Sequence, residues 1–318
     1  MRVRLAAVGL AVTLAGLGLV ACGDDSGSSS ASTAASASTA PSGSTAPETT
    51  GGSGSASGST LAVTASEPAE GKYAFDVPAE IQGGTIQVTL KNTGQEPHEL
   101  GFVKVSEGTT AQQFADEVLA TEGAAIPDYV VSAPGGLGGV GPGGSGTSTI
   151  HLDEGTYVYF CTFSNDAGVA HYTAGMLGEV TVKGTANSDP LPQTSAEVDA
   201  SEYKFDVNGL KAGDNSLTFA NKGNQFHHLI AIPMTAGATL DDVKTFLENS
   251  SEASGPPPDN APVDFSKEQD LAVIGPGDAQ VVSMTFDTGS YVFLCFLSDK
   301  TGGPPHFTKG MLQQVDIG

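Results

Sequence analysis

Two stretches of the 318-residue chain carry one thiol, one imidazole and one thioether in the same order. They are CTFSNDAGVAHYTAGM, residues 161–176, and CFLSDKTGGPPHFTKGM, residues 295–311. The whole chain holds only 3 Cys, 6 His and 5 Met, so six of its scarcest side chains fall in two short segments. Thiolate and thioether are soft donors and imidazole accepts several transition metals, so the chemistry in prospect is binding of a soft or borderline metal ion. Taken singly, each residue has a plainer use: a strand cysteine is commonly a small buried hydrophobe, and a methionine commonly fills a core. Their joint repetition, in order, is what makes them ligand candidates.

The segments belong to a longer repeat. KYAFDVPAEIQGGTIQVTLKNTGQEPHELGFV (72–103) matches EYKFDVNGLKAGDNSLTFANKGNQFHHLIAI (202–232). Tyr73, Phe75, Asp76 and Val77 pair with Tyr203, Phe205, Asp206 and Val207, and Asn92, Gly94 and His98 with Asn221, Gly223 and His227. VGPG at 140–143 pairs with IGPG at 274–277, and from there Tyr157 and Cys161 reach Tyr291 and Cys295 without a gap. The chain therefore reads as two copies of one domain, joined near Pro190 and Pro192.

Within a copy the strand signals are short and alternating. Ile86, Val88 and Leu90 share one face, as do Ile150 and Leu152, then Val158 and Phe160, while Val180 and Val182 close the copy. Turn residues such as Gly83-Gly84, Asn92-Thr93-Gly94 and Glu154-Gly155 separate them. One helix interrupts: Ala111, Phe114, Ala115, Val118 and Leu119 make an apolar stripe, with Thr110 and Gln113 as a capping box. Thr239 begins its counterpart, with Leu240, Val243 and Leu247. The expected fold is all-β: two tandem Greek-key β-sandwiches of seven or eight mostly antiparallel strands, each with one short helix inserted.

The repeat also supplies a fourth donor. His98 follows Pro97 at the start of a strand, and His227 stands at the matching place. Two imidazoles, one thiolate and a weak axial thioether form the ligand set of a blue-copper electron-transfer site. One histidine would come from a distant strand and three donors from the turn between the last two strands, so the fold would set the geometry. Of the adjacent pair His227 and His228 only one can face the metal, because neighbouring strand residues point to opposite faces. The repeat pairs His227 with His98 and His228 with Glu99, which selects His227.

The residues PHEL (97–100) with YVYFC…H…GMLGEVTV (157–182), and FHHL (226–229) with YVFLC…H…GMLQQVDI (291–317), resemble those of the cupredoxins, the plastocyanin-like domain family. The resemblance covers essentially all of 61–318 outside the linker. It implies two type 1 copper sites, with His98, Cys161, His171 and Met176 as ligands of the first and His227, Cys295, His306 and Met311 of the second. One feature departs from the small cupredoxins: nine and ten residues separate the cysteine from the histidine, where those proteins have only a few. The longer loop is more like the blue-copper domain of copper nitrite reductases.

Tandem domains of this kind also resemble multicopper enzymes, which need a second copper centre built from extra histidines. Here the cysteines are flanked by Phe160 and Thr162 and by Leu294 and Phe296, and no His-Cys-His or His-x-His occurs. Beyond the proposed ligands only His151 and His228 remain. The expectation is a single-electron carrier with no catalytic residue; the alternative is a protein that stores or delivers copper.

Flanking sequence places this chemistry outside the cell. Arg2 and Arg4, an apolar run from Leu5 to Leu19 and a small-residue end form a secretory signal segment. Leu19-Val20-Ala21-Cys22 resembles the lipobox of bacterial lipoproteins, which implies cleavage before Cys22 and a lipid anchor on it. Residues 23–60 are almost entirely small, polar or acidic and read as a disordered tether. The domains then fall at 61–185 and 197–318, with a linker at 186–196. Both arginines lie in the signal segment, which leaves 11 Lys against 36 Asp and Glu, a formal charge of −25. That composition cannot build a basic nucleic-acid face; it suits solubility outside the cell and an encounter with a basic redox partner.

Overall fold

A computed structural model describes residues 59–184, 189–250, 258 and 260–318. The signal segment, Cys22 and the tether up to residue 58 lie outside them, as do residues 185–188 at the domain junction.

The first copy contains β1 (Ser59–Ala69), β2 (Lys72–Asp76), β3 (Glu80–Gln82), β4 (Gly84–Asn92), β5 (His98–Val105), β6 (Val130–Val140), β7 (Ser145–Leu152), β8 (Gly155–Phe160) and β9 (Leu177–Lys183). The second contains β10 (Ala196–Ser201), β11 (Lys204–Asn208), β12 (Gly213–Asn221), β13 (His227–Pro233), β14 (Gln269–Ile274), β15 (Ala279–Phe286), β16 (Gly289–Leu294) and β17 (Leu312–Ile317). Ser59 and Thr60, expected in the tether, and Ala196, expected in the linker, are strand residues. The first strand of each copy pairs parallel with the third long strand, β1 with β4 and β10 with β12, and most other pairings are antiparallel. Consecutive strands pair in places, as β1 with β2 and β8 with β9, while crossovers such as β4 to β7 and β5 to β8 break sequence order, as in a Greek key. Among the described residues only β3, a three-residue strand beside β9, has no counterpart in the second copy.

The two copies do not form separate sheets. One eight-stranded sheet runs β11-β10-β12-β15-β7-β4-β1-β2, and the facing nine-stranded sheet runs β17-β16-β13-β14-β6-β5-β8-β9-β3. Both sheets cross from one copy to the other, through the antiparallel pairs β15–β7 and β14–β6. Equivalent strands thus meet each other, which relates the copies by an approximate two-fold axis and removes two pairs of sheet edges from solvent.

Alternation of residue types explains the layers. In β4 and β7 the apolar residues Ile86, Val88, Leu90, Ile150 and Leu152 are buried and their neighbours face outward. Cys161 and Met176 belong to the first copy's core, and Cys295 and Met311 to the second's. A third cluster joins the copies: Phe226 of the second copy packs among Val103, Phe114, Val118 and Phe160 of the first. Burying a side chain of that size contributes about 1.5–3 kcal/mol.

The inserted helices differ in detail. The first starts as a single α-helical turn, α1 (Ala111–Phe114), and continues as a π-helix to Leu119. Thr110 caps it by accepting from Gln113 N, but the Gln113 amide donates to Glu117 and does not return to the cap. In the second copy α2 (Leu240–Ser250) has the reciprocal cap: Asp242 N donates to Thr239 Oγ1 at 3.2 Å, and Thr239 N to Asp242 Oδ2 at 2.9 Å.

Candidate metal centres

The turn that leads into each first histidine is tied by the repeated Asn-x-Gly. Asn92 donates to the carbonyls of Glu96 and Val140, and its Oδ1 accepts from Gly94 N. Asn221 does the same with Gln225, Ile274 and Gly223. These bonds fix where β5 and β13 begin, and each begins on its histidine. The repeated asparagine and glycine are therefore parts of the site's scaffold.

The other donors come from the loop after β8 or β16. His171 opens a short 3-10 turn, His171–Ala174, and His306 opens the matching turn, His306–Lys309. Backbone bonds then bring the strand end and the last donor together: Met176 N donates to His171 O at 2.9 Å, and Cys161 N to Met176 O at 3.1 Å. The second copy repeats them with Met311, His306 and Cys295 at 3.0 and 3.2 Å. Gly175, before Met176, has φ +130°, and a Cβ there would lie 2.1 Å from Tyr73 O. Only glycine fits that approach.

The result is two buried groups of facing donors. His98, Cys161 and His171 offer donor atoms within 4.8 Å of one another, as do His227, Cys295 and His306. In the first, the Nδ1 atoms of His98 and His171 lie 3.1 Å apart, and Cys161 Sγ lies 3.6 Å from His171 Nδ1. In the second, Cys295 Sγ lies 3.5 Å from His306 Nδ1, and both ring nitrogens of His227 are buried without a hydrogen-bond partner. An unpartnered buried imidazole is costly unless something accepts its lone pair. Copper fits: the donors are soft or intermediate, they converge, and each group has the size to hold one ion. Met176 and Met311 are fully buried in the same core clusters as their cysteines. Both cysteines are unpaired thiols, so the scarce sulfur is not spent on a disulfide. His151, by contrast, stands apart on β7, 3.1 Å from Thr85 Oγ1 and 3.5 Å from Asp153.

Burial sets the protonation of the metal-free groups. It pushes the Cys295 thiol up to about 12 and Cys161 well above its ordinary value. It lowers all four histidines, His227 to about 4, with neighbouring imidazoles adding to the effect at His98 and His227. The imidazoles are thus neutral and free to coordinate at neutral pH, and metal binding would release the thiol protons.

A second layer orients the rings. Glu67 Oε1 lies 3.2 Å from His98 Nε2, and Glu96 Oε2 lies 3.0 Å from His171 Nε2. With Nε2 so engaged, each ring turns Nδ1 to the centre. Tyr73 stacks on His171, with ring centroids 4.0 Å apart, and donates to Glu96. In the second copy Tyr203 tilts against His306 and donates to Asp299, whose Oδ1 lies 3.2 Å from His306 Nε2. Sequence reasoning used the two tyrosines only as repeat markers and missed the carboxylates. Glu96 comes from the turn before β5 and Asp299 from the Cys–His loop, so no alignment of the copies would pair them.

The residue after the first histidine acts on the loop. Glu99 Oε1 accepts from Thr162 N at 2.7 Å, and His228 Nε2 accepts from Phe296 N at 2.8 Å. Glu99 N also donates to Cys161 Sγ at 3.5 Å. Burial, then the nearby Asp270 carboxyl, pushes Glu99 up to about 7; burial, then the neighbouring imidazoles of His306 and His227, lowers His228 to about 3.

No protein-family model and no curated protein matches the chain. Among solved structures it is similar to a dithionite-reduced auracyanin from Roseiflexus castenholzii, at 31% identity over 40% of this chain and 100% of that one, TM-score 0.27. It is also similar to a copper nitrite reductase from Nitrosomonas europaea, at 15% identity over 81% and 94%, TM-score 0.23. A blue copper oxidase from the same organism aligns at 16% identity over 81% and 85%, TM-score 0.21.

Proposed function

We propose, for a chain of two tandem cupredoxin-like domains, that it binds one type 1 copper in each domain and carries single electrons at the cell surface. The observation that carries this reading is the pair of buried His/Cys/His groups, each with a methionine in the same core cluster as its cysteine. His98, Cys161, His171 and Met176 would hold the first ion, and His227, Cys295, His306 and Met311 the second. Bound copper would supply a one-electron couple. The protein's part is to hold two imidazole nitrogens and a thiolate in a dry, fixed frame, so that the change of oxidation state needs little rearrangement.

The carrier reading is preferred to an enzyme because the spare histidines are already engaged apart from each other. His151 contacts Thr85 and Asp153, and His228 holds Phe296 N. Among the described residues no third group of His, Cys, Asp or Glu converges in the manner of the first two. The lipobox-like Cys22 would hold the chain at the outer face of the membrane, and no helix among the described residues is long and apolar enough to cross it. Surplus carboxylates suit a basic redox partner.

A redox titration of the copper-loaded protein tests the reading. A carrier bleaches on reduction and regains its full thiolate-to-copper band on reoxidation through many cycles. Loss of Cu(I) to a competing chelator within the first cycle would favour copper delivery instead.

A further inference from the structure

The two centres have matching donors and matching backbone frames, but their charged surroundings differ. Three carboxylates stand against the first: Glu67 at His98, Glu96 at His171, and Glu99 at the N–H of Thr162 next to Cys161. Among the described residues no lysine pairs with any of them. Asp270 of the second copy lies behind Glu99 and accepts from Gly139 N at 2.9 Å; burial raises its pKa, so it is not counted among the charges at the first centre. At the second centre the place of Glu99 is taken by His228, a neutral imidazole bonded to Phe296 N. Asp299, the carboxylate on His306, is paired with Lys309, whose Nζ also lies 4.8 Å from the Tyr203 ring centroid. Glu202 accepts from the backbone N–H groups of Asn224 and Gln225 just as Glu67 accepts from those of Gln95 and Glu96, so this pair of carboxylates is common to both centres.

Reduction of a copper centre removes one positive charge from a buried site, so nearby negative charge favours the oxidised state. The effect is strong where water is excluded. We propose that this asymmetry sets the first centre at a lower potential than the second, so that a chain holding one electron keeps it on the second copper. The inference rests on the copper reading above. It does not hinge on Glu99: without it the first centre still has Glu67 and Glu96 with no lysine on either, against Glu202, Asp299 and the Lys309 ammonium at the second. Donor types and the backbone frame around each cysteine match between the copies, so charge is the difference that the substitutions below isolate. The internal step is balanced by itself: one electron leaves Cu(I) at the first centre, which becomes Cu(II), and reduces Cu(II) at the second to Cu(I). No bond forms or breaks, and a one-electron donor protein replaces the electron at the first centre.

Single-centre variants of the full chain test the order. Cys295→Ser leaves only the first centre and Cys161→Ser only the second; each is titrated at pH 8 with ascorbate and ferricyanide while the charge-transfer band is followed. The expected result is a lower midpoint for Cys295→Ser. Glu96→Gln in that background should raise it, and Lys309→Gln in the Cys161→Ser background should lower the other. Two blue variants with equal or reversed midpoints would overturn the proposal and leave the copper reading standing. Absence of a band in both would overturn the two together. Should either cysteine variant fold poorly, Glu96→Gln and Lys309→Gln in the otherwise unaltered chain read the same order: the first narrows the gap between two resolved waves from below, and the second from above. No movement in either wave would again overturn it.

Discussion

Ser148 of β7 and Val282 of β15 face each other across the junction of the two copies, and they are the same position of the repeat. Their pairing places an approximate two-fold axis in the middle of the eight-stranded sheet. Around it, contacts cross the junction in numbers. Ile126 N donates to Lys300 O at 2.9 Å, which lays a segment of the first copy on the Cys–His loop of the second. Phe226, next to His227, is buried in the first copy's cluster. The second centre is thus shaped partly by the first domain.

Gln280 is the buried polar link of that junction. Its Oε1 accepts from Gly136 N at 2.9 Å and its Nε2 donates to Ala272 O at 3.3 Å, with the side chain fully buried. Gln280→Leu keeps the volume but strands a donor and an acceptor, and should lower stability by about 1–3 kcal/mol. Urea denaturation measures it. An unchanged midpoint would mean that water or a shifted backbone satisfies both groups.

Asp278 gives the junction a pH dependence. Its Oδ2 accepts from Ala133 N at 3.1 Å, and burial is the main cause that pushes it up to about 6 from 3.8. An acid whose folded pKa is raised favours the protonated form in the fold. Its contribution is therefore present at low pH, declines as pH rises from about 4 to about 6, and stays lower above. Asp278→Asn keeps an acceptor for Ala133 N without a charge. Relative to wild type it should gain stability between pH 4 and pH 6 and hold that gain at pH 8. A stability difference that does not change with pH would show that Asp278 titrates alike in both states.

His227 and His228 should separate cleanly by function. In a Cys161→Ser background His227→Gln should abolish the remaining blue band, because its ring is buried without a hydrogen-bond partner and offers one donor atom to the group with Cys295 and His306. His228→Gln should keep the band, since an amide oxygen can also accept from Phe296 N. The opposite outcome would assign the ligand to the wrong neighbour.

The convergence of the His/Cys/His donors was legible in the sequence because these candidate ligands have fixed types at fixed places. Cysteine, histidine and methionine admit few substitutes as soft donors, and Asn92, Gly94 and Gly175 are tied to turns whose geometry they dictate. Strand alternation gave the sandwiches for the same reason. What escaped was whatever depends on pairing between distant residues. Nothing local marks β7 as the partner of β15, since a strand at a sheet edge and one at a junction share the same alternation. Glu96 and Asp299 escaped too, because a carboxylate can reach one imidazole from several loops. The π-helix after Phe114 has no signature distinct from the stripe that predicted a helix.

Cys22→Ala should move the protein from the membrane fraction to the soluble one, as expected of a chain held by lipid on that residue. Retention in the membrane would point to the uncleaved apolar segment as the anchor.

The most direct test of the account is the metal content and absorption spectrum of the copper-loaded protein, taken together. The account predicts two coppers per chain and a thiolate-to-copper charge-transfer band that falls by about half with Cys161→Ser and by about half with Cys295→Ser. A single tight equivalent, a preference for zinc, or a band untouched by either substitution would contradict it.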